Sequence, residues 1–389
     1  MSVTGPRGFV ASGVACGIKE SGALDLALVA AEPFGAVAAA ATFTTNLAAA
    51  APVQLSRAHL RATRGRAAGI VVNSGCANAA TGARGMEGAR ATAAAVAGGL
   101  GVPIEELLVC STGLIGLHLP VERIEAAVPA LVAALGSGRE DGARAADAIL
   151  TTDTHRKEVL LDASGFSVGG MVKGAGMIAP NMATMLAVLT TDAVAAPDVL
   201  GEALRRAVAA SFNELTVDGC TSTNDTVAIL ASGLGRPAGI DELSDALRSA
   251  CEDLALQLAE DAEGTTRVAR VRVLGAKSDE DARRAARGVA ESNLVKTSLY
   301  GADPYWGRIV SELGASGAAF DLDRVRLSYG EIVVFDRGVE ARHDRAAASA
   351  YLRSPIVEIV CELGLGVADA TVLTTDLGPG YIEENMRTS

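Results

Sequence analysis

Short apolar segments bounded by Gly, Asn or Asp come in blocks along this chain, separated by long Ala-rich amphipathic stretches, and this order most restricts its fold. Residues 24–31, 37–43 and 67–73 predict strands. Residues 86–100, 121–135, 198–212 and 241–262 predict helices of several turns. Asp241 with Ser244, and Asp279 with Glu280, supply polar or acidic starts suited to a helix amino terminus. Strands return at 157–162, 166–172, 184–189, 226–230, 268–274, 325–335 and 356–362. Because strands and helices do not alternate strictly, the pattern favours an α+β architecture of layered, largely antiparallel or mixed sheets over a doubly wound parallel sheet. Aromatic residues make up only 3% of the chain, so the core must be built from small aliphatic side chains. The length of 389 residues suits two to three domains or one large duplicated unit. Short loops are expected at 136–142 and 233–239, with a boundary near Glu291 to Asn293.

The formal net charge of -12 and the absence of any Lys/Arg run argue against nucleic acid as a partner. Six cysteines, at 16, 76, 110, 220, 251 and 361, form no C-x-x-C pair, and none of the four histidines is spaced for zinc. Mostly buried free thiols and no metal are therefore expected. The opening MSVTGPRGFVASGVACGIK lacks the pattern of a secretory signal, and no apolar run reaches membrane-spanning length. A cytoplasmic protein without a membrane partner is the expectation.

The chemistry points first to residues 171–193, MVKGAGMIAPNMATMLAVLTTDA. A Thr hydroxyl can break the peptide bond before it, leaving an amino terminus that carries a nucleophilic Oγ and its own amine. Thr184, after Ala183, is the candidate nucleophile. The same letters also suit packing: four of the seven methionines lie between Met171 and Met185, and Met fills irregular core gaps. NSGCANAATG (73–82) and CSTGLIG (110–116) each follow an apolar strand, where loops present donors to a developing oxyanion or simply turn. DGCTSTNDT (218–226) and LVKTSLYGADPYWGR (294–308) are further polar, Gly-bearing clusters. In the second, Trp306 suits packing, and Lys296 and Arg308 suit either structural ion pairs or a carboxylate.

Together with GIKESGALDLALV, TTDTHRK, DAEGTTR and TTDLGPGYIEEN, these segments in this order strongly resemble the ornithine acetyltransferase family, also called glutamate N-acetyltransferase. The resemblance covers almost the whole chain. It implies an autoprocessed α+β protein with α/β/β/α layers, cut between Ala183 and Thr184 into chains 1–183 and 184–389. It also implies transfer of acetyl from N2-acetylornithine to glutamate for arginine synthesis, with no cofactor and with acetyl-CoA as an alternative donor. By resemblance, Thr112 and Gly113 form the oxyanion hole, and Thr151, Lys173, Thr184, Glu263, Asn385 and Ser389 bind substrate. The implied assembly is a heterotetramer of two chains of each kind. The sequence departs from the family pattern at Cys220, at Ala80 and in the short tail NMRTS. These departures leave open a same-fold transferase or amidase acting on another N-acyl amine in secondary metabolism.

Overall fold

This computed structural model describes residues 2–179 and 185–386. Two compact units are present, one of Met1–Asn213 with Cys220–Leu258 and one of Glu214–Gly219 with Ala259–Ser389. The first unit begins with β1 (Phe9–Val14), β2 (Leu26–Ala31), β3 (Val37–Phe43), α1 (Ala51–Ala62), β4 (Arg66–Ala67), β5 (Gly69–Cys76) and α2 (Gly82–Leu100). It continues with β6 (Leu107–Leu114), α3 (Val121–Ala133), α4 (Arg139–Ala148), β7 (Lys157–Asp162), β8 (Ser167–Lys173), β9 (Leu186–Thr191) and α5 (Pro197–Ala209). After the short β10 (Leu215–Thr216) of the second unit, β11 (Thr226–Ala231) and α6 (Ile240–Glu260) complete it.

One sheet has the order β1-β2-β5-β6 and the other β4-β3-β11-β9-β8-β7. Both are mixed: β5 runs parallel to β6, and β9 to β11, among antiparallel neighbours. Strand β2, LALVAA, is buried at every residue because both of its faces are covered. Ala27, Val29 and Ala31 point into a core shared with Met171, Leu186 and Val188 of the other sheet. Leu26, Leu28 and Ala30 point the other way, against Ala93 and Val96 of α2 and Ile124 of α3. On the second sheet, Gly201 of α5 lies over Ala40 of β3, and Leu254 of α6 reaches Gly170 of β8. Gln257 of α6 also exchanges hydrogen bonds with the backbone N–H and carbonyl of Glu158. The first unit is therefore an α/β/β/α sandwich, as expected. Its small side chains permit close approach: α4 rests on β1 so tightly that a Cβ at Gly13 would lie 2.2 Å from the Arg144 carbonyl oxygen.

The second unit adds β12 (Val268–Ala276), α7 (Asp279–Glu291), α8 (Asn293–Tyr300), α9 (Gly307–Ala315), β13 (Arg326–Tyr329) and β14 (Ile332–Asp336). Then come β15 (Val339–Glu340), α10 (Arg345–Tyr351), β16 (Ile356–Glu362), β17 (Ala368–Thr375) and α11 (Pro379–Asn385). Its sheet has the order β10-β17-β12-β16-β13-β14-β15. Along β16, Val357, Ile359 and Cys361 are buried and their neighbours are not, so this sheet has one covered face. That face packs on Ala282 and Val289 of α7, Leu299 of α8 and Leu313 of α9. Ser278 caps α7 by accepting the Asp281 N–H, above the acidic first turn read from the sequence.

Three expectations need correction. Residues 325–335 are two strands, β13 and β14, because Gly330, at φ 56, reverses the chain between Tyr329 and Ile332. The expected boundary at Glu291–Asn293 lies inside the second unit, where Val289 and Val295 on either side share one core. The expected loop at 136–142 ends early, since α4 starts at Arg139 and the Gly138 N–H donates to Asp141.

Adding one methyl at Gly13 forces α4 off β1. Gly13→Ala should lower unfolding free energy by about 1–3 kcal/mol. Gly98→Ala, on α2 with nothing within 4 Å of the added Cβ, should be neutral or slightly stabilising. Denaturant titration of both variants checks the contrast.

Candidate active site

The site is built where β5, β6 and β8 end. Strands β5 and β6 run parallel in a register that pairs Ser74 with Thr112 and Gly75 with Gly113. The two glycines meet backbone to backbone. A Cβ on Gly113, whose φ is 129, would fall 2.3 Å from the Gly75 carbonyl carbon, so no other residue fits there.

Thr112 is buried beside this contact, and its Oγ1 accepts a hydrogen bond from Lys173 Nζ at 3.2 Å. Lys173, the last residue of β8, also donates to Thr151 Oγ1 at 2.6 Å. Three of the expected site residues thus share one ammonium group. Asp153 organises them: Oδ1 accepts from Lys157 Nζ at 2.7 Å and from the Gly174 N–H at 2.6 Å, while Oδ2 accepts from the Thr151 N–H at 3.0 Å. Lys173 Nζ lies 4.0 Å from Asp153 Oδ2. Burial works against the Asp153 charge, but Lys173, Lys157 and the Gly174 N–H outweigh it and hold its carboxyl down to about 2.

Glu263 and Asn385 are brought together in the second unit. Asn385 Nδ2 donates to Glu263 Oε2 at 2.9 Å and to the Tyr381 carbonyl at 2.8 Å. Gly264 makes room for this, since a Cβ there would lie 2.1 Å from the Tyr381 nitrogen. Ala183, Thr184 and Ser389 lie outside the described residues. Directly after Thr184, the Met185 N–H donates to Asp225 Oδ1 at 3.1 Å. Burial pushes the Asp225 carboxyl well above the usual carboxylate range, with the Met185 N–H and Ser222 offsetting part of the shift.

The polar loops read as oxyanion donors divide their labour. Ser111 Oγ donates to Asn73 Oδ1 at 2.6 Å, Ser74 Oγ to the Ala148 carbonyl at 2.7 Å, and Asn78 Nδ2 to the Gly85 carbonyl at 2.8 Å. Asn224 Nδ2 ties the Ala77 and Ser111 carbonyls together. These groups make the strand ends rigid, and Thr112 is the hydroxyl that reaches Lys173. In the 294–308 cluster these side chains bond within the second unit. Lys296 donates to Thr374 and Thr375, Arg308 donates to the Leu294 carbonyl, and the Trp306 and Phe335 ring centroids are 4.7 Å apart. Asp153 and Asp225 were not singled out from the sequence. The former carries a local signal, an acid four residues before Lys157 within TTDTHRK.

Residues 10–388 match the model of the ArgJ family. The arginine biosynthesis bifunctional protein ArgJ of Mycolicibacterium paratuberculosis is 49% identical over 393 residues, covering 98% of this chain and 95% of its own length. The chain belongs to the ArgJ family. Another ArgJ relative with the same description, from Thermobifida fusca, is 45% identical and covers 99% of both chains. A solved chain of ornithine acetyltransferase complexed with ornithine, from Mycobacterium tuberculosis, is 47% identical and covers 46% of this chain and 94% of that one, with a TM-score of 0.44.

The depressed Asp153 carboxyl links this ArgJ-family site to stability. Its folded value lies below the ordinary 3.8, so the stabilisation is present above about pH 4 and is lost as pH falls toward 2. Asp153→Asn should remove that segment of the pH dependence. It should also cost about 3–5 kcal/mol at pH 7, because the buried Lys157–Asp153 ion pair is broken. Urea unfolding at pH 7 and pH 3 reads both effects.

Proposed function

We propose that this ArgJ-family chain is a glutamate N-acetyltransferase of arginine biosynthesis that moves the acetyl group of N2-acetylornithine to glutamate. The observation that carries this reading is the buried Lys173 ammonium shared by Thr112 and Thr151, on the strand that leads toward the Ala183–Thr184 junction. On this reading the chain cuts itself there into 1–183 and 184–389, and the break frees the amine of Thr184. An α-amine titrates near 7.7–8.0 in model peptides, so at neutral pH part of it is unprotonated and can accept the Oγ proton.

Thr184 Oγ then attacks the acetyl carbonyl, and the Thr112 hydroxyl and Gly113 N–H stabilise the negative charge that develops on its oxygen. The C–N bond breaks, and ornithine leaves with the proton returned to its amine. The amine of glutamate attacks the acetyl-threonine ester, which releases N-acetylglutamate and restores the hydroxyl. Lys173 is the natural partner of a substrate carboxylate. Glu263, steadied by Asn385, suits an ammonium group. Ser389 completes the proposed substrate set. The resemblance further implies acetyl-CoA as an alternative donor and a heterotetramer of two chains of each kind. Buried free thiols at Cys76, Cys110, Cys251 and Cys361 suit a reducing compartment, in keeping with a cytoplasmic enzyme.

Acetyl-labelled N2-acetylornithine tests the reading. Label should appear in N-acetylglutamate only when glutamate is present, whereas equal release of free acetate with and without glutamate would make the protein a hydrolase. Thr184→Ala should leave one unbroken polypeptide on a denaturing gel and transfer nothing. Acetyl transfer by that variant would remove Thr184 as the nucleophile. Thr112→Ala should fold and be cut, yet transfer about 10²–10³-fold more slowly, as measured by single-turnover kinetics.

A further inference from the structure

The DGCTSTNDT cluster carries an aspartate with no part in the scheme above. Asp225, directly before β11, is fully buried. Its backbone carbonyl accepts the Thr44 N–H at 2.9 Å, and the Thr226 N–H beside it donates to the Met185 carbonyl at 3.2 Å. The Asp225 side chain returns to the same residue, since Oδ1 accepts the Met185 N–H at 3.1 Å. Met185 is thus held through both of its backbone groups, and it is the residue joined to Thr184. In any conformation two consecutive backbone nitrogens lie within about 4 Å of each other. The nitrogen that the proposed cleavage releases is therefore a near neighbour of this carboxyl.

The other oxygen, Oδ2, is buried and has no hydrogen-bond partner among the described residues. A charged oxygen left in that state is strongly disfavoured, whereas in the neutral acid the same atom carries a hydrogen and is an unused donor. Burial favours the acid and pushes Asp225 well above the usual carboxylate range. The Met185 N–H, Ser222 and the Lys173 ammonium of β8 act the other way without cancelling it. Cys110 of β6, beside Thr226, is pushed up to about 12 and stays a neutral thiol, so it adds no charge. With Oδ1 taken by the Met185 N–H, the acidic hydrogen belongs on Oδ2.

We infer that Asp225 is the proton donor for self-cleavage at the Ala183–Thr184 junction, giving the hydrogen on Oδ2 to the departing Thr184 nitrogen. The inference rests on the cleavage step of the reading above. Thr184 Oγ attacks the Ala183 carbonyl carbon, and the C–N bond breaks. Its electron pair takes the Asp225 proton, which leaves a free amine and an ester. The proton lost by Oγ passes to the Asp225 carboxylate and restores the acid. Water then hydrolyses the ester, giving the Ala183 carboxyl group and the free Thr184 hydroxyl. That one water is the only co-reactant.

The test follows cleavage of the full chain on a denaturing gel after a pulse of cell-free synthesis. Asp225→Asn is close in shape and keeps an oxygen for the Met185 N–H, but its amide cannot release a proton. It should be cut about 10²-fold or more slowly than wild type. Its uncut chain should unfold at the same temperature as the uncut Thr184→Ala chain, which separates lost chemistry from lost structure. Wild-type chain moved after synthesis into buffers from about pH 5 to 9 should be cut at a rate that is level in acid and falls as pH rises through the raised Asp225 value. Asp225→Asn should lack that fall. An Asp225→Asn chain cut at the wild-type rate would overturn the assignment. So would a wild-type rate that does not fall with rising pH, an outcome that decides the matter even where the variant fails to fold. Wild-type protein that transfers acetyl yet is never cut would instead overturn the cleavage reading itself, and this inference with it.

Discussion

A single buried carboxylate, Asp153, holds the candidate site in shape. It accepts from the Lys157 ammonium at the start of β7, from the Gly174 N–H just past β8 and from the Thr151 N–H. The 151–157 segment is thereby fixed to the end of β8. Its Oδ2 also lies 4.0 Å from the buried Lys173 ammonium. Lys173 in turn reaches Thr112, which belongs to the other sheet of the sandwich. The electrostatic pair on one sheet therefore sets the position of the hydroxyl on the other.

That reach depends on thin layers. Alanines from both sheets and from α4 line the interlayer core, among them Ala27, Ala145 and Ala228. Glycine carries the same economy of volume to the site, where Gly75 and Gly113 let two parallel strands touch at their ends. Scarce aromatic residues and a site built from strand termini are two consequences of one choice of side-chain size.

Much of the fold was legible in the letters. Strands at Lys157–Asp162 and Ile356–Glu362 coincide with apolar runs whose ends are marked by charged or turn-forming residues. What was hidden was hidden for physical reasons. The β13–β14 reversal rests on one left-handed glycine inside an otherwise continuous strand pattern. Helix α4, REDGARAADA, combines an interior glycine with alanines whose burial becomes evident only against β1. The site was legible through the ordered set of motifs rather than through periodicity. Thr112 and Thr151 both accept from Lys173, and Asn385 donates to Glu263. The motifs were silent on Asp153 and Asp225, whose importance arises from burial and from partners distant in the sequence. They also made Asn73, Ser74 and Asn78 look like cleft donors, although these side chains bond back to their own strand ends and neighbouring helices.

The proposed chemistry requires that an acetyl group pass through the threonine that follows Ala183. Mass spectrometry of the intact protein, after brief exposure to N2-acetylornithine without an acceptor, observes that passage directly. A carboxy-terminal chain beginning at Thr184 and heavier by one acetyl group, which returns to its original mass when glutamate is added, is the predicted result. An active protein whose chains never carry the acetyl group, or carry it on another residue, would contradict the account.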